Sequence, residues 1–314
     1  SSDWVSGFVL RALSVSSCPE DVSARAMSSL ASRQRPNGGW SYNKIVPTDC
    51  DSTSWVLLAA SAASPSLHIE ASVIRKGVQY LRKHQDGISG GFATYCPWDR
   101  VHEFIGVSSA DSMTGWFSPH ICVTGVAVQS LLGIGTPISD EGIQKALKYI
   151  ETGRNARGLW DSYWWKGYAY GTCQALKALS LSKALTDEIS RKAEDAILSD
   201  QRDDGSWNDW AGDDGEVFGT AHAVSSLLLL QSNRALQSAE RGIKWLVRHQ
   251  KDDGSFPTDP ILKIPPPMVK DPAAVRIWRS EGMGTGVVIG DKRRIFTTSA
   301  ALQALSMFKG AGVM

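Results

Sequence analysis

Asp49 and Asp51 stand two residues apart in Pro47-Thr48-Asp49-Cys50-Asp51-Ser52-Thr53-Ser54-Trp55, where an apolar helical stretch begins. A carboxyl group in apolar surroundings beside a second carboxylate has its pKa raised by both neighbours, so it can hold a proton at neutral pH and deliver it. Asp is also a preferred helix N-cap, and on this fragment alone capping is the preferred reading. The aromatic supply argues for more. The chain has 12 Trp, and Trp160, Tyr163, Trp164, Trp165, Tyr168 and Tyr170 gather ahead of one helix, more rings than a turn needs. Each ring face stabilises a passing cation by about 0.5–2 kcal/mol. An acid at a helix mouth and an aromatic interior suit the making and holding of carbocations.

The elements that must position these groups repeat along the chain. Gln34-Arg-Pro-Asn-Gly-Gly-Trp40 returns as Gln85 to Phe92, Gln201 to Trp207 and Gln250 to Phe256, with a degenerate copy from Gly153 to Trp160. Each copy follows an amphipathic stretch: Val22 to Arg33, Ala71 to His84, Glu141 to Thr152, Asp187 to Ser199 and Ser238 to His249. After each comes a more uniformly apolar helix, beginning near Asp51, His120, Tyr168, Phe218 and Phe296, and Trp4 to Leu13 starts the set. Helices apolar all round are buried and one-sided helices cover them. Six inner and at least five outer helices predict an all-α fold, an α/α toroid spanning 1–314 as a single domain, with a linear solenoid as the competing arrangement. The repeated turns are read as structural staples. In a toroid the inner helices start on one side, so Asp51, His120, Cys122, Tyr170, Cys173, His222 and Thr297 are expected around one cavity mouth. Two long connections, Asp86 to Pro119 and Pro257 to Ile295, are too long for plain turns and are expected to serve function.

The formal charge of +1 excludes a global field for nucleic acid. No apolar run is long enough for a membrane span and no signal segment is read at the start, although peripheral membrane contact stays open. Five cysteines without CxxC spacing point to a reducing, cytoplasmic compartment and no disulfide framework. His84 and His249 end outer helices and are read as structural. His120 and His222, near inner-helix starts, are core residues or ligands. No residue is assigned to a metal, and neither GxGxxG nor Walker patterns occur.

At this point the chain resembles the class II terpene cyclases of the squalene-hopene and oxidosqualene type. Asp49-Cys-Asp51-Ser52-Thr53 is similar to their DxDD-T acid motif, with Ser52 in place of the last Asp, which implies Asp51 as proton donor and Asp49 as its partner. Asp161 to Thr172 resembles the family's YGRWGVNYxYGT stretch and gives Trp164 the place of a cavity tryptophan. Trp165, Tyr168 and Tyr170 share that stretch, and Trp40 and Tyr95 lie in segments similar to ones that carry cavity aromatics. The repeated turns look like QW motifs. The likeness covers the toroid half of a full cyclase; the family's second helical domain is not represented.

Three departures follow from the comparison with that motif set. Val126 stands where the family has the histidine that polarises the acid, leaving His120 or His222 as substitutes. Ser52 weakens the carboxylate cluster. Gly284-Thr-Gly286-Val287 lacks a family aromatic, which implies a smaller cavity and a substrate shorter than a triterpene. The expected function is cyclisation of a prenyl diphosphate or related isoprenoid alkene, without a resident cofactor and with Mg2+ only as a companion of a diphosphate. The cations Lys263, Lys270, Arg276, Arg279, Lys292, Arg293 and Arg294 suit a diphosphate clamp, Arg293 and Arg294 foremost. Two alternatives stand beside it. One is a zinc-dependent prenyltransferase-like toroid using Cys173 and His222, with Gly171 where that family has Asp. The other is a non-catalytic toroid that binds a hydrophobic ligand or a protein.

Overall fold

The computed structural model describes residues 3–16, 18–62, 69–209, 214–275, 278–279 and 284–311. Inner helices are α1 (Asp3–Ser14), α3 (Cys50–Ser61), α6 (Ile121–Gly133), α8 (Ala169–Leu181), α10 (Val217–Leu230) and α12 (Ile295–Gly310). Outer helices are α2 (Glu20–Ala31), α4 (Ala71–Lys83), α7 (Glu141–Thr152), α9 (Asp187–Ser199) and α11 (Asn233–Arg248). The inner helices pack in chain order, and α12 returns to α1. That closing contact makes the fold a toroid and rules out the open solenoid. Small residues bring the inner backbones close: a Cβ on Gly7 would lie 2.8 Å from the Trp55 carbonyl, and one on Gly125 would lie 2.9 Å from that of Gln174. Helix α11 starts earlier than its apolar periodicity suggests because Ser232 caps it, its hydroxyl accepting from the Ala235 amide.

The repeated turn ties three elements together. Gln34 Nε2 donates to the carbonyls of Gly38 in its own turn and Val73 at the next outer helix; Gln85 and Gln201 do the same with Gly90 and Gly142, and with Gly205 and Ser238. The indoles of Trp40, Trp160 and Trp207 reach back to carbonyls of the preceding outer helix at Leu30, Ile150 and Ile197. The backbone amide of the ring residue donates to a threonine in the following inner helix: Trp40 to Thr53, Phe92 to Thr124, Trp160 to Thr172, Trp207 to Thr220 and Phe256 to Thr298. Gly38 runs left-handed at φ +91°, and a Cβ there would meet Lys76 O at 2.6 Å, so this turn needs glycine. The staple reading therefore has its geometry.

The two long connections hold structure the sequence reading left undefined. The first contains a short helix, α5 (Val101–Phe104). The second folds into an antiparallel hairpin of β3 (Pro260–Ile264) and β4 (Val287–Gly290). A further two-residue ribbon, β1 (Trp40–Ser41) with β2 (Thr48–Asp49), delivers the chain into α3.

Removing a staple ring tests this account. Trp207→Ala empties a fully buried indole site and removes the indole donor to Ile197 O, so a loss of about 3–5 kcal/mol is expected, read as a lower urea midpoint at unchanged slope. An unchanged midpoint would remove the staple role.

Candidate active site

The centre of the ring is plugged by aromatic side chains. Trp165 packs 4.9 Å from Tyr170, 5.2 Å from Phe218 and Trp4, and 5.8 Å from Phe296. Trp4 in turn packs on Phe8 and Trp55. A cavity of about 470 Å³ lies against this plug. Asp51, Trp4 and Trp165 line it, as do Tyr95, Trp116 and Trp164. Both long connections contribute wall: Phe104 and Ile105 from the first, Leu262, Lys263 and Ile264 from the hairpin of the second.

Backbone pairing fixes the aromatic wall relative to the acid. Lys263 N donates to Trp164 O and Lys166 N to Ile261 O, both at 2.8 Å, so β3 carries the Trp164-Trp165 segment. Trp164 Nε1 donates to Thr94 Oγ1 at 2.7 Å. Thr94 O accepts the Cys50 amide at 2.9 Å, at the first residue of α3. Hairpin, tryptophan and acid helix are thus joined in one chain of hydrogen bonds.

The two aspartates divide the roles that the sequence left open. Asp49 is the N-cap: its carboxylate accepts from the Ser52 amide at 2.6 Å, the Ser52 hydroxyl at 2.7 Å and the Tyr42 amide at 3.1 Å. Asp51, in the first turn, has a single donor, the Trp4 indole, 2.7 Å from Oδ2. Its Oδ1 is buried and unpartnered. Burial pushes the Asp51 carboxyl up to about 7, against the opposing pull of the Trp4 hydrogen bond. Burial likewise raises Asp49 to about 7; its bonds to Ser52 oppose the rise and the Asp51 charge adds to it. With three donors, Asp49 is the better-solvated carboxylate. Asp51, with one, is the member of the pair suited to keep the proton, on the oxygen that has no other partner.

Several expected site residues lie elsewhere. Trp40 is a staple ring, its indole bonded to Leu30 O, away from the cavity. Tyr168 turns outward, its hydroxyl 2.5 Å from an Asp200 oxygen with the Arg157 guanidinium over its ring. Tyr170 sits within the plug, behind Trp165, and accepts from the Trp55 indole. His120 stacks on Tyr163 at 3.5 Å and bonds Gly115 O; His222 bonds Phe218 O. Burial pushes both imidazoles down to about 3, so they are neutral, and neither bonds Asp51. The donor on the acid is Trp4, which the sequence reading placed in the first helix without assigning it a role. Trp4 occupies the first turn of an inner helix, as Asp51 does on the next, and that shared position was the available signal. Trp116, also missed, lies in a connection already expected to be functional.

Arg293 is exposed and Arg294 pairs with Asp253 at 3.4 Å; neither lines the cavity. Lys270, Arg279 and Lys292 are exposed as well, and Arg276 lies outside the described residues. Among the described residues Lys263 is the one Lys or Arg in the lining; its Nζ donates to Ser162 O at 3.0 Å. Cys173 and His222 gain no third metal ligand among the described residues.

A raised carboxyl pKa carries a stability cost with a definite pH sign. Between the unfolded value of 3.8 and the folded value of about 7, unfolding releases the Asp51 proton, so the native state loses stability as pH rises through that window, by up to about 4 kcal/mol. Asp51→Asn, which cannot ionise, is therefore expected to melt above the parent at pH 8 and to match it near pH 4. Equal melting temperatures at both pH values would show that Asp51 is ionised in the fold.

Residues 48–262 match the squalene-hopene cyclase C-terminal domain family. Drimenyl diphosphate synthase of Streptomyces showdoensis is 24% identical over 84% of this chain and 46% of its own length; squalene–hopene cyclase of Zymomonas mobilis is 24% identical over 71% and 36%. The chain thus spans less than half the length of these relatives. Among solved structures, the type II terpene cyclase MstE from Scytonema, as a variant in complex with geranylgeranyl dihydroxybenzoate (substrate), superposes with a TM-score of 0.87 at 25% identity, covering 99% of this chain and 88% of that one. Another MstE variant, with merosterolic acid A (product), gives 0.86 at 26% identity over the same shares. An α/α toroid with a buried acid at an inner-helix mouth, matched over residues 48–262, belongs to the squalene-hopene cyclase C-terminal domain family.

Proposed function

We propose that this chain is a class II terpene cyclase that protonates and cyclises a linear isoprenoid. The observation that carries this reading is the unpartnered, buried Oδ1 of Asp51 at the wall of an aromatic-lined cavity. A neutral carboxyl there gives its proton to a terminal alkene carbon. The alkene π pair forms the new C–H bond, the next π pair closes the ring, and the cation moves along the chain. The faces of Trp4, Trp164, Trp165, Trp116 and Tyr95 lower the energy of that cation, and the dry lining delays capture by water. Loss of a proton from the final cation ends the reaction, which is a net isomerisation once Asp51 regains its proton.

The substrate is proposed to be a prenyl chain with a polar head, the diphosphate class foremost. Three observations support it: the cavity volume near the lower end for small-molecule sites, Lys263 as the one lining cation among the described residues, and relatives whose names include drimenyl diphosphate or geranylgeranyl dihydroxybenzoate. Mg2+ is proposed only as a companion of a diphosphate head. Exposed Phe104 and Met268, beside the cavity walls, support contact with a membrane surface that supplies a greasy substrate. No helix among the described residues is long and apolar enough to cross a membrane. The five cysteines are unpaired, which supports a cytoplasmic setting.

Asp51→Asn is expected to lower turnover by about 10²–10⁴-fold or more while the fold remains, and parent activity should fall about tenfold per pH unit above about 7. A mutant with parental turnover would reduce Asp51 to a structural residue. Lys263→Met is expected to raise KM for a prenyl diphosphate by about 10–100-fold, the worth of one charge-assisted hydrogen bond, and to leave the prenyl alcohol nearly unchanged. Equal effects on both substrates would make Lys263 a brace for Ser162 and remove the anionic-head reading.

A further inference from the structure

His84, Cys96 and Asp99 form a buried cluster outside the cavity. Each offers one ligand atom, and these atoms lie within 4.8 Å of one another. His84 ends α4; Cys96 and Asp99 belong to the segment that leads from Tyr95 into α5. The hydrogen bonds around them leave one contact unresolved. His84 Nδ1 faces Tyr80 O at 2.9 Å and must donate there, since a carbonyl only accepts. In the singly protonated ring, Nε2 then carries a lone pair. Asp99 Oδ1 accepts from the Tyr80 hydroxyl, and Oδ2 accepts from the Cys96 amide at 2.7 Å. Nε2 and Oδ2 are nevertheless 2.7 Å apart, lone pair against lone pair, with His84 and Asp99 side chains 0% and 1% exposed. A proton shared between them, or a metal ion, resolves the contact.

We infer that His84, Cys96 and Asp99 are a site for a zinc-class divalent ion. The shared proton would satisfy His84 and Asp99 and leave the Cys96 sulfur only its weak capping contact with the Asp99 amide, whereas an ion uses all three donors. Imidazole nitrogen, thiolate sulfur and carboxylate oxygen together select zinc or a similar borderline-soft ion over Mg2+ or Ca2+. Binding displaces the Cys96 thiol proton to solvent and forms a sulfur–metal bond. The place gives the ion a purpose. Asp99 and Cys96 follow directly on Thr94 and Tyr95, which hold the Trp164 indole, the Cys50 amide and part of the cavity wall. A metal clip from α4 to this segment fixes the wall from behind while touching no substrate. His84, which helix-end position alone explains as a dipole partner, becomes a ligand.

The test needs no substrate. The whole chain, produced with zinc in the medium and desalted, is analysed for metal by mass spectrometry, and then exchanged with Co2+ and scanned in the near ultraviolet. Near-stoichiometric zinc and a thiolate-to-cobalt charge-transfer band are expected, both lost in Cys96→Ser, with a lower melting temperature after chelation. Metal-free wild-type protein with no cobalt–thiolate band overturns the site and leaves a simple His84–Asp99 hydrogen bond. Zinc retained in full by Cys96→Ser also overturns it. If Cys96→Ser does not fold, the wild-type metal content and cobalt spectrum decide alone.

Discussion

The proposed chemistry depends on keeping one carboxyl group dry enough to hold its proton. Asp51 has the Trp4 indole on one oxygen and nothing on the other, and burial raises its pKa to about 7. An isolated helix could not achieve this, because water would solvate its first turn. The ring must close, so that α1 brings Trp4 against α3, and the plug around Trp165 must fill the centre. The two long connections then roof the remaining space. Each feature helps to bury the same carboxyl, at a cost in stability when it ionises.

Division of labour between neighbours makes that possible. An N-cap is wanted at α3, and Asp49 supplies it with three donors, so Asp51 is released from local hydrogen bonding. The cap reading is realised on Asp49, which leaves Asp51 as the carboxyl for the proposed acid role. Ser52, which stands in place of a further acid, serves the cap through its amide and hydroxyl. The imidazoles that were expected to polarise the acid are neutral and engaged elsewhere. A neutral indole N–H does the work of orientation: it fixes Oδ2 as the acceptor and leaves Oδ1 without a partner.

Tryptophan takes two opposite parts in the same molecule, and the destination of its N–H separates them. In the repeated turns the indole bonds a helix-end carbonyl and the ring is consumed as packing, as in Trp40, Trp160 and Trp207. In Trp164 the indole bonds a side-chain hydroxyl on the facing wall, and the ring stays at the cavity surface. The staple rings hold the toroid together so that the wall rings are held at a fixed place around the cavity.

Much of this was written in local sequence. Alternating one-sided and all-apolar periodicity determined which helices lie outside and inside, since burial on one face or on all faces leaves different patterns. The repeated Gln/Gly/aromatic turns determined where the helices are joined, and the Asp49–Asp51 spacing marked the acid. Tertiary structure alone decided the rest. Ring closure rests on the α12–α1 contact, which no local pattern encodes. Whether a ring faces a cavity or a core depends on partners far along the chain: Trp164 on Thr94, Tyr170 on Trp55, Tyr168 on Asp200. The loop cations looked like a clamp by composition, yet only Lys263 among the described residues has its backbone in a strand that faces inward. The partner of the acid, Trp4, lies 47 residues before it. A hydrogen bond across that separation exists only once the helices are packed, so its donor could be read from the fold and not from the chain.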